Sequence, residues 1–212
     1  LYFAKYVLGN EAVYSILTIL VVPGGAIATV LIPWFTKHFG KKNTYIYVHV
    51  LGAVVMFAMY FIGRNGGYNN SSNLLWLAIG FVLLGLPQGI NNVITYAMIG
   101  DTVEYLEWKT GERAEGICFS MQTFINKISM AVGAFIGVMA YGISGISPSD
   151  PYNTVTPEGS EKLWAVLILS GAISMVATII PMLFYKVTES KQREYVKEIE
   201  ERKAAKAAKT AE

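Results

Sequence analysis

Apolar residues gather into five long runs that short polar segments separate. The runs cover residues 13–35, 44–62, 74–99, 116–143 and 163–187. Each approaches or exceeds the ~20 residues that a helix needs to cross a ~30 Å hydrocarbon core. None shows the strict alternation of membrane barrel strands. The pattern therefore predicts five transmembrane helices, and residues 1–10 are expected to be the end of an earlier helix.

Two of these runs contain helix-breaking residues near their centres. The first is Pro23-Gly24-Gly25, and the second is the segment Gly-Leu-Pro-Gln-Gly at 85–89. Transporters interrupt helices in this way where the chain bends around a buried cavity. We therefore expect both spans to be broken within the membrane.

The composition agrees with a membrane protein. Hydrophobic residues make up 53% of the 212-residue chain and charged residues only 15%, against about a quarter charged in soluble domains. The net charge of +2 is too small to favour nucleic-acid binding. The single cysteine, Cys118, excludes a disulfide framework within the chain.

The distribution of Lys and Arg predicts the orientation in the membrane. Thirteen of the 17 lie in alternate joints and in the tail from Lys186 onward, and only Lys5, Arg64 and Lys162 lie on the opposite side. The basic side is expected to be cytoplasmic. This places the protein in the cell (inner) membrane with a cytoplasmic charged tail, residues 188–212. The mixed charges and alanines of the tail predict a solvated helix that frays into disorder.

The remaining basic residue, Lys127, lies in the middle of an apolar span. It follows Glu115 by twelve residues, so a rise of ~1.5 Å per residue places it about 18 Å into the helix. The lysine stem spans only ~6 Å, which is too short to reach either interface. A lone ammonium at this depth costs several kcal/mol. We therefore expect Lys127 to face a polar cavity and to pair with a carboxylate, while a snorkelling lysine is the structural alternative.

Polar side chains recur beside Lys127 and on the preceding span. They form two stripes of one helix (Ser120, Thr123 and Lys127; Gln122, Asn126 and Ser129) and a face of another (Gln88, Asn91, Asn92 and Thr95). Such groups can simply join membrane helices by hydrogen bonds. Their density around an ionisable group favours a second interpretation, in which the two helices face each other and line a cavity for a polar solute.

An unusually acidic joint lies between these two spans. It contains Asp101, Glu104, Glu107, Arg113 and Glu115. Carboxylates at the carboxyl end of a helix meet an unfavourable dipole unless cations compensate them. The joint therefore predicts ion pairs with Arg113 or with basic residues elsewhere, and solvated surface charge is the alternative.

The joint and the following span also carry a long spaced pattern, D-x-x-[DE]-Y-x-E-W-K-T-G-x-R-x-E-G followed by S-x-Q-T-x-x-x-K. It resembles the glycoside–pentoside–hexuronide:cation symporters, the melibiose-permease-like branch of the major facilitator superfamily. The matching residues are Asp101, Glu104, Tyr105, Glu107, Trp108, Lys109, Thr110, Gly111, Arg113, Glu115, Gly116, Ser120, Gln122, Thr123 and Lys127. The segment around Gly40 is similar to the basic cytoplasmic loop of the superfamily.

The resemblance implies an all-α membrane fold, the C-terminal six-helix bundle of a twelve-helix transporter. Residues 1–10 would then be the end of helix 7 and residues 11–187 helices 8 to 12. The expected partners are membrane lipid, a missing N-terminal six-helix bundle and a glycoside, pentoside or hexuronide. No cofactor is expected apart from Na⁺ or H⁺ as the coupling ion.

The resemblance also implies roles for particular residues. Substrate-binding residues would be Gln122, Thr123, Asn126, Asn92 and Gln88, and cation coupling would involve Lys127 and Thr123. A cytoplasmic gate that holds the two bundles together would use Asp101, Glu104, Glu107, Arg113 and Glu115. Melibiose-type members carry a Trp where this chain has Asn92, so a different sugar, or stacking on Tyr96, is expected. The Glu-Trp-Lys-Thr-Gly segment favours glucuronide or xyloside transporters.

Three function classes follow. The first is half of a secondary active transporter, a sugar:cation symporter. The second is a structural half-transporter, inactive without a separate N-terminal bundle. A membrane enzyme or receptor is disfavoured because the sequence has no HExxH, no G-x-S-x-G and no Cys/His cluster with ligand spacing, with His38 and His49 near a helix joint.

Overall fold

The computed structural model describes residues 3–145 and 155–210. Within these ranges the chain is helical and has no strand, so the all-α expectation is confirmed. The five α-helices are α1 (Ala12–Gly63), α2 (Ser71–Thr110), α3 (Glu115–Ser144), α4 (Pro157–Phe184) and α5 (Glu189–Thr210). A short π-helix at Phe3–Val7 precedes them, and a 3-10 turn at Gly67–Asn69 joins α1 to α2. In the described residues, α1 to α4 are long and apolar enough to cross a membrane.

Helix α1 supplies two of the five predicted spans. Its 52 residues would extend about 78 Å as one rod, far more than a membrane core needs. Gly40 interrupts it with a left-handed φ of 74°, a conformation that favours glycine. Gly24, before this turn, comes against Val82 of α2, and Gly52, after it, comes against Pro87. Both halves of α1 therefore pack on the same part of α2, and the helix folds back at Gly40 as a hairpin.

The predicted breaks at Pro23 and at residues 85–89 are wrong. Both helices keep helical geometry through these segments, and Gly40 is the non-helical residue of α1. The glycines instead allow close packing. A Cβ on Gly24 would lie 1.8 Å from the Val82 carbonyl oxygen, and one on Gly85 would lie 2.1 Å from that of Val21. Small residues let membrane helices approach backbone to backbone, which explains the glycines without a break in either helix.

The contacts divide the bundle into two ends. At one end Trp164 of α4 packs with Phe3 and Tyr68, at ring-centroid distances of 5.4 Å to each. Beside them, Glu161 accepts hydrogen bonds from the backbone N–H groups of Asn65 and Gly66. The opposite end holds the Gly40 turn, the acidic end of α2 and α5. This arrangement places the basic joints and the tail on one side, as the charge distribution predicted.

Helix α3 is the least packed of the spans. Ala140 and Leu163 form a small buried cluster between α3 and α4, and the Ser144 carbonyl lies against Gly159. Away from this end the helix is largely exposed, and a Cβ on Gly133 or Gly137 would meet no atom within 4 Å. Most of the surface of α3 is therefore open between residues 115 and 139.

Candidate functional site

Lys127 lies on the open part of α3. It is the thirteenth residue of the 30-residue helix, and its side chain is exposed. Within residues 3–145 and 155–210 no carboxylate forms an ion pair with it. Exposed apolar side chains surround it on the same helix, including Phe124, Ile128 and Met130. The described part of the chain thus holds an ammonium at mid-span and supplies no countercharge for it.

The polar neighbours of Lys127 already form some hydrogen bonds within α3. The Thr123 hydroxyl donates to the Phe119 carbonyl at 3.0 Å, one turn earlier. The Gln122 amide donates to the Asn126 side-chain oxygen at 3.3 Å. A hydroxyl that already donates to the backbone retains acceptor capacity, and each amide retains further donor or acceptor capacity. Gln122 and Asn126 are therefore the α3 residues with the most unused hydrogen-bonding capacity beside Lys127.

Gln88 and Asn92 of α2 line a cavity of about 910 Å³ between α1, α2, α4 and the Phe3–Val7 segment. Its other lining residues are mainly apolar. Thr95 donates to Asn91 at 2.9 Å within α2 and lines a separate cavity of about 440 Å³. No hydrogen bond joins the polar residues of α2 to those of α3 in the described ranges. The structure therefore places the two predicted polar sets on separate helices and does not bring them into contact.

The acidic end of α2 contains the predicted ion pairs. The Lys41 ammonium lies 2.6 Å from both Asp101 carboxylate oxygens. Arg113 donates to Glu107 at 3.0 Å and also pairs with Glu115. Asp101 and Glu107 are largely buried, at 6% and 5% exposure. Lys41 lies at the α1 turn and Arg113 lies between α2 and α3. The alternative of purely solvated charge is therefore wrong for Asp101 and Glu107.

Comparison with known sequences identifies the family. Residues 1–189 match the MFS/sugar transport protein family, which is most of the chain. The chain belongs to the MFS/sugar transport protein family. This confirms the resemblance to the glycoside–pentoside–hexuronide:cation symporters, which the spaced pattern of the acidic joint and Lys127 indicated.

Individual relatives of this MFS/sugar transport protein are moderately similar. A putative sulfoquinovose importer of Escherichia coli is 31% identical over 95% of the chain. A glucuronide carrier protein homolog of the same species is 27% identical over 96%, and a raffinose carrier protein of Pediococcus pentosaceus is 28% identical over 94%. The chain spans 41%, 42% and 30% of the length of these relatives, respectively. No solved structure matches it significantly.

The tail of this MFS/sugar transport protein differs from its sequence prediction. Residues 189–210 are helical, as expected, and residues 200–209 are exposed, but the first half of α5 is partly buried and therefore not fully solvated. It lies against α2, where Gln192 donates to Glu104 at 2.5 Å and Lys203 pairs with Glu107 at 2.6 Å. The charged residues of α5 were interpreted as solvent-facing because a single helix with mixed charges gives no sign of its partner. The compensating acidic residues are about 90 positions earlier in the sequence.

Proposed function

We propose that the chain is the C-terminal bundle of a secondary transporter that moves a sugar or glycoside together with Na⁺ or H⁺ by alternating access. The observation that carries the proposal is Lys127, an exposed ammonium at mid-span of α3 without a carboxylate partner in the described residues. An intramembrane charge generally faces the interior of a bundle or a cavity and marks a transport pathway. Membership of the MFS/sugar transport protein family supports this assignment.

In this proposal the open face of α3 lines half of a central cavity. Gln122, Thr123 and Asn126 of α3 bind sugar hydroxyls, and Gln88 and Asn92 of α2 are further substrate-binding residues. Amide side chains suit this role because each offers both donors and an acceptor to a neutral polar solute. The remaining contacts come from a separate N-terminal six-helix bundle, whose docking covers the exposed face of α3.

Lys127 acts in cation coupling. It pairs with a carboxylate of the N-terminal bundle, and its positive charge lowers the affinity of that carboxylate for Na⁺ or H⁺ whenever the two groups are in contact. Binding of the cation weakens the pair and changes the energy difference between the two bundle arrangements. Thr123, one turn away, contributes an oxygen to the same region.

The acidic end of α2 serves as the cytoplasmic gate. Asp101, Glu104, Glu107, Arg113 and Glu115 stabilise the arrangement in which the bundles meet on the cytoplasmic side. In this proposal the gate and the tail lie in the cytoplasm, and the protein lies in the cell (inner) membrane. The substrate class is a glycoside, pentoside or hexuronide, and the glucuronide, sulfoquinovose and raffinose named for the relatives define the first compounds to test.

A second candidate is a structural half-transporter that is inactive without a separate N-terminal bundle. The observation that favours it is that the chain spans only 42% of the length of relatives such as the glucuronide carrier homolog. Both candidates predict that membrane vesicles containing this chain alone do not accumulate sugar.

The test is uptake in vesicles that contain the chain together with an N-terminal bundle. Labelled glucuronide, sulfoquinovose and raffinose are supplied under an imposed Na⁺ or H⁺ gradient, with vesicles containing either half alone as controls. The proposal predicts gradient-dependent accumulation of at least one compound and none in the controls. Counterflow by this chain alone, or gradient-independent uptake by the complete protein, would contradict it.

A further inference from the structure

Helix α5 runs along the carboxyl end of α2 and is attached at three places. The first is its amino terminus, where Glu189 accepts a hydrogen bond from the backbone N–H of Lys41 at the α1 turn. The Lys41 side chain in turn reaches Asp101 of α2. A Cβ at Gly40 would lie 2.9 Å from the Glu189 carboxylate. The start of α5 is therefore fitted against the α1 hairpin and is linked through Lys41 to α2.

The middle attachment combines aromatic and polar contacts. Tyr195 packs on Trp108 and Tyr105 of α2, with ring centroids 4.6 Å and 5.6 Å apart. The Trp108 indole N–H donates to Glu198 at 2.7 Å, and Gln192 donates to Glu104. Aromatic pairs of this geometry contribute beyond their buried area. The interface is therefore specific in shape as well as in charge.

The third attachment shares one carboxylate between two elements. Lys203 lies 2.6 Å from Glu107 Oε1, while Arg113 lies 3.0 Å from Oε2 of the same group. The hydrogen bond from Lys203, and secondarily that from Arg113, lowers the pKa of Glu107. Arg202 also donates to the Trp108 carbonyl at 2.7 Å, near the carboxyl end of α2. Cations of α5 thus compensate both the carboxylate and the helix end.

We propose that α5 is a cytoplasmic strap that competes with the N-terminal bundle for Glu104 and Glu107, and that Lys203 is its positioning residue. When the strap is docked, its side chains use oxygens of both carboxylates. When it is released, these oxygens are free to receive cations from the opposite bundle, and the gate closes. The competition rests on the proposed transport function, whereas the docking of the strap does not.

Docking is tested by disulfide cross-linking in membranes. The native Cys118 is first replaced by Ser, and the pair Glu104→Cys and Gln192→Cys is introduced. Oxidation should join the two cysteines in a disulfide, so that neither thiol reacts with a maleimide-polyethylene glycol reagent. The matched control pairs Lys109→Cys with Gln192→Cys, because Lys109 is exposed on the same end of α2 and should remain labelled. Equal labelling of the two pairs after oxidation would overturn the strap.

Competition is tested in the complete transporter with Lys203→Gln and Lys203→Arg. A cysteine at Asn92, again in the Cys118→Ser background, reports access to the cavity from outside through a membrane-impermeant maleimide. Lys203→Gln should raise the labelling rate about two- to fivefold, as expected for loss of one partly exposed ion pair. Lys203→Arg keeps the positive charge and should therefore keep the labelling rate of the protein with Lys203. An unchanged rate in Lys203→Gln would overturn the competition, and the cross-linking result stands independently of transport.

Discussion

The close approach of α1 and α2 makes Gly24→Ala the most sharply defined stability prediction. The new Cβ would lie 1.8 Å from the Val82 carbonyl oxygen, whereas ordinary contacts begin at 3.4 Å. The helices must therefore separate locally by roughly the difference, about 1.6 Å. The obstructing atom is backbone and cannot rotate away. Overpacking typically costs 1–3 kcal/mol, and we expect a loss near the upper end, about 3 kcal/mol.

The assay is unfolding of the purified chain in mixed micelles, followed by helical circular dichroism as the denaturing detergent fraction rises. Gly25→Ala is the matched control, since its Cβ would lie an ordinary 3.5 Å from the Gly85 carbonyl. Gly133→Ala is a second control on the open face of α3. Both should be neutral or slightly stabilised, because alanine is the better helix former. If Gly24→Ala unfolds at the same detergent fraction as Gly25→Ala, the backbone contact is not present.

Three further outcomes are expected. The pKa of Glu107 is below its ordinary 4.5, so its contribution to strap docking is complete above that value and is lost as the pH falls through the lower folded-state pKa. Docking, followed by the fluorescence of Trp108, which packs on Tyr195 of α5, should be constant from about pH 6 to 8 and should decline only in acid below about pH 4. Asn70→Ala removes the acceptor for the Ser72 N–H at 3.0 Å and should cost about 1 kcal/mol in the same unfolding assay, while retained stability would show that this cap contributes nothing. In the complete transporter, Arg113→Ala should change the transport rate and the inward/outward balance more than sugar affinity, and a large loss of affinity with an unchanged balance would contradict a gate role.

The sequence predicted the helices well because each span is long, apolar and bounded by turn residues. Helix α3 begins and ends within one residue of the predicted span 116–143. The same local reasoning was wrong at Pro23 and at residues 85–89, because a Pro-Gly segment is compatible with either a bend or a close helix contact. Only the position of the neighbouring helix distinguishes these possibilities, and a local sequence pattern does not give that position.

The ion pairs of the acidic joint were predictable only in part, again because a local pattern does not contain residues that are distant in the sequence. The requirement for compensating cations follows from the helix end, and the nearby Arg113 could be named. Lys41 and Lys203 could not, because they lie 60 and 96 positions away in the chain. The roles of Gln122, Asn126 and Lys127 remain predictions, since no hydrogen bond or ion pair joins them to another element in the described part of the chain.

The central claim is that the charge of Lys127 couples the cation to sugar movement. The decisive measurement is cation-driven sugar uptake, with cation-dependent sugar binding, by the complete transporter carrying Lys127→Leu at normal surface expression. Met130→Leu, another exposed position of α3, is the control. We expect Lys127→Leu to insert and fold, because it removes a charge from the middle of a membrane span, yet to lose uptake and the cation dependence of binding, while the control retains both. Lys127→Arg should also be impaired, since a planar guanidinium does not replace a compact ammonium. Normal coupling in Lys127→Leu would contradict the account.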